Sequence, residues 1–104
     1  MLRANGETGD IYGFLDEGGF ISFENINSVN GEAVLTVKGK ENIVKREFLF
    51  GQEDIVFSFT PEEINKIGEG EHPYSLYTKG FDGVRNTLIP DPSNNMRPVF
   101  QIET

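Results

Sequence analysis

At 104 residues, with 9 Lys+Arg against 17 Asp+Glu, the chain has room for one domain and carries a net charge of −8, so its surface repels nucleic-acid phosphates and anionic membranes. It has no cysteine, which removes thiol nucleophiles, disulfides and cysteine-held zinc and fits a reducing compartment. The opening residues lack the apolar run of a signal peptide, and no stretch approaches the roughly 18 apolar residues of a membrane span.

Residues 9–15 read as a first strand carrying Ile11, Tyr12, Phe14 and Leu15, and Asp16-Glu17-Gly18-Gly19 as the turn after it, since glycine takes positive φ without steric cost. Residues 20–23 form a second extended piece, with Phe20 and Ser22 on one side and Ile21 and Phe23 on the other. Residues 25–31 have loop chemistry and end in the turn-prone pair Asn30-Gly31. In 33–38 the apolar Ala33, Leu35 and Val37 alternate with positions that include Thr36 and Lys38, the pattern of a half-buried strand. After a turn at 39–42 the chain returns through 43–50. This strand has Val44, Phe48 and Phe50 on one face and the charged Lys45 and Glu47 on the other. Arg46 interrupts the apolar face, which marks either a sheet margin or a bulge.

Residues 54–59 make the strongest strand, with Ile55, Phe57 and Phe59 on one face. It runs into a helix-start signal: Thr60 as N-cap, Pro61 at the first helical position and Glu63 completing a capping box. Ile64 and Ile67 share a face and Gly68 ends the element, so one short helix is expected near 61–67. Strand character resumes at Pro73 with Tyr74 and Leu76 on one face, a hairpin loop follows at 79–83, and 84–89 returns. The polar connection 90–95 leads to a closing strand over 98–103. The fold class expected is all-β: a single domain over 1–104, an immunoglobulin-like antiparallel β-sandwich of about seven or eight short strands with one short helix. Its core should hold Leu35, Val37, Phe57, Phe59, Tyr74, Leu76, Phe100 and Ile102.

Nothing in the sequence assembles a catalytic group. The lone His72 precedes Pro73 at a strand entrance and has no nucleophile or carboxylate spaced to orient it. Oxygen-rich side chains cluster at Asp16-Glu17 and at Asp91 with Asn94 and Asn95, but without the spaced positions of a calcium loop they read as turn chemistry. Gly6-Glu7-Thr8-Gly9 and Gly18-Gly19 lack the lysine and hydroxyl of a phosphate loop. Tyr12, Tyr77 and Phe81 are the candidates for a sugar-stacking platform. No catalytic, cofactor or metal residue is assigned, and the chain reads as non-enzymatic with its binding residues open.

The order of several segments resembles a known group of proteins. These are Gly6-Glu7-Thr8-Gly9-Asp10-Ile11-Tyr12, the strand at 33–38 and the phenylalanine-rich strand feeding Thr60-Pro61-Glu62-Glu63. The Gly-x-x-x-Tyr segment 70–74 and the closing Pro98-Val99-Phe100-Gln101-Ile102-Glu103 complete the set. Together they resemble small sandwich modules of bacteriophage tail and baseplate proteins, most of all the N-terminal domain of the upper baseplate protein family. That family attaches receptor-binding proteins to the tail tip, and its domain precedes a long C-terminal region. The resemblance implies a free-standing small relative or a prophage protein with a different attachment role, made in the bacterial cytoplasm and placed in the virion tail. Its implied partners are other tail or baseplate proteins or further copies of itself, with the loop 90–95 and the terminal strands as contact regions. The alternative is a carbohydrate-binding module for a bacterial cell-wall polymer.

Overall fold

Strands form where apolar residues alternate, and the computed structural model, which describes residues 1–24, 30–93 and 95–104, shows how they pair. Along the chain come β1 (Arg3–Ala4), β2 (Ile11–Phe14), β3 (Gly19–Phe23), β4 (Asn30–Lys38), β5 (Asn42–Phe50) and β6 (Ile55–Phe59). The helix α1 (Pro61–Ile67) follows, then β7 (Gly70–Gly80), β8 (Arg85–Ile89) and β9 (Val99–Glu103). The protein is all-β with one short helix, at the residues where the capping signal puts it. The strand beyond the expected set is β1, whose two residues pair with Tyr12 and Ile11 and are too few to show alternation. Of the loop expected at 25–31, residues 25–29 lie outside the described residues, and Asn30 and Gly31, expected as its turn, instead open β4 opposite Phe50 and Leu49.

One sheet runs in the order β1-β2-β9-β7-β4-β5, with β8 joined to β7, while β3 and β6 form a separate two-stranded ribbon. Its pairs are antiparallel except β2 with β9, which run parallel. The long β7 changes partner along its length: Gly70 to Pro73 pair with β9, and Leu76 to Lys79 with β8. These pairings do not establish an immunoglobulin-like order, because a seven-stranded mixed sheet is faced by a two-stranded ribbon and a helix.

All eight expected core residues are buried, and they form one cluster with Ile21 and Ile55 of the ribbon and Ile64 and Ile67 of the helix. Phe59 and Phe100 pack tilted at 57° with ring centroids 5.3 Å apart, and Tyr74 meets Phe100 edge-on at 6.4 Å. The Tyr74 hydroxyl donates to the Gly9 carbonyl. Burial, and then the Asp10 carboxylate, push its pKa far above the ordinary tyrosine value, so it stays a donor. Val34 is buried on the opposite face of the sheet, with Arg46 and Tyr77 as its cross-strand neighbours.

The two faces of β5 divide as alternation says, but the apolar one is outside. Val44, Phe48 and Phe50 are exposed, while Leu49 is fully buried and Ile43 packs against the core. Lys45 can turn inward because α1 supplies its partner, a Glu63 carboxylate oxygen 2.7 Å from the ammonium. Arg46 marks a margin and no bulge, since the β4–β5 register runs unbroken from Asn30↔Phe50 to Lys38↔Asn42 and β5 ends the sheet.

Glu63 also closes the capping box. Its carboxylate accepts from the Thr60 N–H at 2.9 Å, and its own N–H donates to the Thr60 hydroxyl at 3.1 Å. Partial burial pushes the Glu63 pKa up, but the Lys45 ammonium and the Thr60 bonds outweigh it and hold the carboxyl below its usual value. A lowered folded pKa adds stability above the unfolded value, lost as pH falls through the folded one. Glu63→Gln should therefore be less stable than the parent at about pH 7, with the gap closing below about pH 4. Urea midpoints at both pH values check this, and a gap that persists unchanged in acid contradicts it.

Candidate functional site

The exposed face of β5 continues onto a loop from the other side of β4. Phe48 and Phe50 share a face because strand side chains repeat every second residue, and their ring centroids are 6.5 Å apart. Asn30 joins them to the β7–β8 loop: it pairs with Phe50 across the β4–β5 ladder, and its carbonyl accepts from the Phe81 N–H at 3.1 Å. That bond sets the Phe81 ring 6.5 Å from Phe50. Phe48, Phe50 and Phe81 are 64%, 72% and 69% exposed, and Val84 beside them is 65% exposed. Burying one phenylalanine side chain is worth about 1.5–3 kcal/mol, so three rings left in water forgo several times that.

The rings stand at a sheet edge. No strand lies beyond β5 among the described residues, and a long apolar edge is a surface for pairing unless it is blocked. Here Gln52 reaches back to it: the Phe50 N–H donates to Oε1 at 2.6 Å, and Nε2 donates to the Phe48 carbonyl at 3.2 Å. Because these groups meet Gln52 and not β4, the even-numbered residues of β5 aim their backbone groups outward. Shallow depressions of about 440 and 360 Å³ flank Phe81, one floored by Thr78 and Val84 and the other by Gly31 and Phe48. Asp82 lines the first beside Phe81, and Glu32 and Lys79 line the second beside Phe48. Of the nearby cations, Arg46 lies 3.4 Å from Glu32 and the Arg85 guanidinium sits over the Tyr77 ring at 3.8 Å.

The sequence candidates fall elsewhere. Tyr12 lies opposite Gln101, which lies opposite Glu71, and Tyr77 is six residues further along β7, about 20 Å at the rise of an extended strand. Tyr12, Tyr77 and Phe81 are therefore not one platform; Tyr77 is covered by Arg85 and Phe81 sits with Phe50. The His72 Nε2 is 2.8 Å from the Gly68 carbonyl, to which it donates, closing the bend between α1 and β7. Asp16 and Asn65 bond reciprocally at 2.9 Å, tying the β2–β3 turn to the helix. Hydrogen bonds from the Ser93 hydroxyl and then its N–H hold the Asp91 carboxyl below its usual pKa. Asn94 lies outside the described residues, and Asn95 is exposed. Among the described residues no group of three or more His, Asp or Glu is placed to hold a metal, and no helix is long and apolar enough to cross a membrane.

Of the contact regions expected at the terminal strands, β9 is paired on both sides, by β2 and β7, and offers no free edge. The long edge is β5. Its signal in the sequence was the arginine inside an otherwise apolar face, followed by the Phe48-Leu49-Phe50 run. Comparison of the chain with protein-family models, curated proteins and solved structures finds no match.

Proposed function

We propose that this domain is a non-enzymatic assembly module that joins another protein through the β5 edge and the Phe48, Phe50 and Phe81 rings. The observation that carries this reading is a cluster of three exposed aromatic rings, two on the outer face of a nine-residue edge strand and Phe81 beside them. Interfaces are enriched in aromatic anchors of this kind, and their loss dominates binding energy. The sequence resemblance to phage baseplate modules supports a virion setting, in which the partner is another tail protein and the domain resides in the tail after synthesis in the bacterial cytoplasm. The net charge of −8 disfavours nucleic acid and anionic membrane as partners.

The test is co-purification with candidate tail proteins, comparing the parent with the triple variant Phe48→Ser/Phe50→Ser/Phe81→Ser. The rings contribute little to the core, so the variant should fold with an unchanged circular dichroism spectrum. The parent should hold its partner through sizing, and the variant should bind at least about tenfold more weakly. Equal retention by both proteins would remove the rings from the interface. A parent that stays alone but is retained on purified cell walls, and loses that retention on Tyr77→Ala, would favour the carbohydrate reading.

A further inference from the structure

The Gln52 carboxamide stands where the backbone of a further strand would run. It takes the N–H of Phe50 and the carbonyl of Phe48, one donor and the acceptor two residues before it. One residue of a parallel neighbour placed opposite Leu49 would take the same two groups. Val44 and Arg46 continue the outward-facing edge towards the β4–β5 turn. A single side chain thus caps one step of an edge that is long enough for several.

Building on the assembly reading, we propose that β5 accepts an extended, basic segment of another protein as an added strand, and that Gln52 holds the edge until that strand displaces it. The rings supply the apolar half of the recognition, since side chains on one face of the added strand lie beside Phe48 and Phe50, with Phe81 packed behind Phe50. Charge selects the other half. Asp82 lies beside Phe81, Arg46 is engaged by Glu32, and the protein as a whole carries a net charge of −8. A second copy of this chain brings a further −8 and is repelled at a distance, whereas a lysine-rich segment is drawn in.

A labelled synthetic peptide of alternating lysine and valine, followed by fluorescence anisotropy at physiological salt, is the probe. Its comparators are the same peptide N-methylated at alternate residues, which removes the backbone donors, and a version with glutamate for lysine. The parent should bind the first and neither comparator. Phe50→Ala should weaken binding about tenfold, and Gln52→Ala, which vacates the edge, should tighten it about fivefold. Binding that survives N-methylation and Phe50→Ala would reduce the effect to general charge attraction and overturn the proposal. So would failure of the peptide to bind, preference for the glutamate version, or a peptide-free dimer in light scattering that Phe50→Ala dissociates. If the peptide fails while the triple serine variant still loses its tail-protein partner, strand addition is wrong and the assembly reading stands. Loss of both would end the assembly reading as well.

Discussion

Replacing Phe57 with alanine should cost about 3–5 kcal/mol of stability, the range for emptying a phenylalanine site in a packed core. Phe57 is fully buried on β6, and its ring meets Phe23 edge-on with centroids 6.0 Å apart. Among the described residues the β3–β6 ribbon shares no backbone ladder with the main sheet. It is held there by its inward side chains, Ile21, Ile55, Phe57 and Phe59, which belong to the common core. Removing the largest fully buried one leaves a cavity between the two layers that the ladders cannot close. A domain of this size has about 5–15 kcal/mol to lose, so the variant should unfold at much lower urea. Val56→Ala on the same strand is the control: Val56 is 50% exposed, and its loss should stay within about 0.5 kcal/mol. A Phe57→Ala protein within about 1 kcal/mol of the parent would contradict this packing.

Gly39→Ala should cost about 1–3 kcal/mol by forcing apart two segments already in contact. A Cβ at Gly39 would lie 2.6 Å from the Ile67 carbonyl oxygen and 2.7 Å from the Ile67 Cα. Both are backbone atoms, so no rotamer change relieves the overlap. The helix end depends on this approach: the Lys40 N–H donates to the Ile67 carbonyl at 2.9 Å, and the Glu41 N–H to the Lys66 carbonyl at 3.0 Å. These bonds satisfy carbonyls that a helix C-terminus otherwise leaves open. The measurement is a thermal melt joined to hydrogen exchange, in which the Lys40 and Glu41 amides should lose protection before the β4–β7 ladder does. Gly6→Ala, where a Cβ meets nothing within 4 Å, should melt within about 0.5 kcal/mol of the parent. Unchanged exchange at Lys40 and Glu41 would show that the turn does not hold the helix.

Some of this architecture is local and was legible in the residues themselves. Thr60, Pro61 and Glu63 specify the start of α1 by bonds within a single turn, and Leu35, Val37, Phe57 and Phe59 show their inward face by a period of two. The candidate site is another matter. Phe48 and Phe50 were visible as neighbours on one face of β5, but Phe81 joins them only through Asn30, which pairs with β5 and receives the Phe81 N–H. No local pattern connects residue 81 to residue 50. The parallel pairing of β2 with β9, which removes the C-terminal strand from the free edges, joins opposite ends of the chain in the same way.

Alternation along 43–50 determined which side chains of β5 share a face; only the tertiary structure decided which face is inside. Val44, Phe48 and Phe50 with one arginine, against Ile43 and Leu49 with two charged residues, favour the even-numbered face as the core, and the protein does the reverse. The reason lies in what packs against the strand. The helix brings Glu63 within 2.7 Å of Lys45, so the charge that should have kept the odd-numbered face in water is paired beneath α1, while Leu49 fills the core from the same face. Among the described residues nothing packs over the opposite face at Phe48 and Phe50, and both rings remain in water. Periodicity is a property of neighbouring residues, whereas burial depends on segments far apart in the chain, which is why the core strands were legible and the exposed aromatic edge was not.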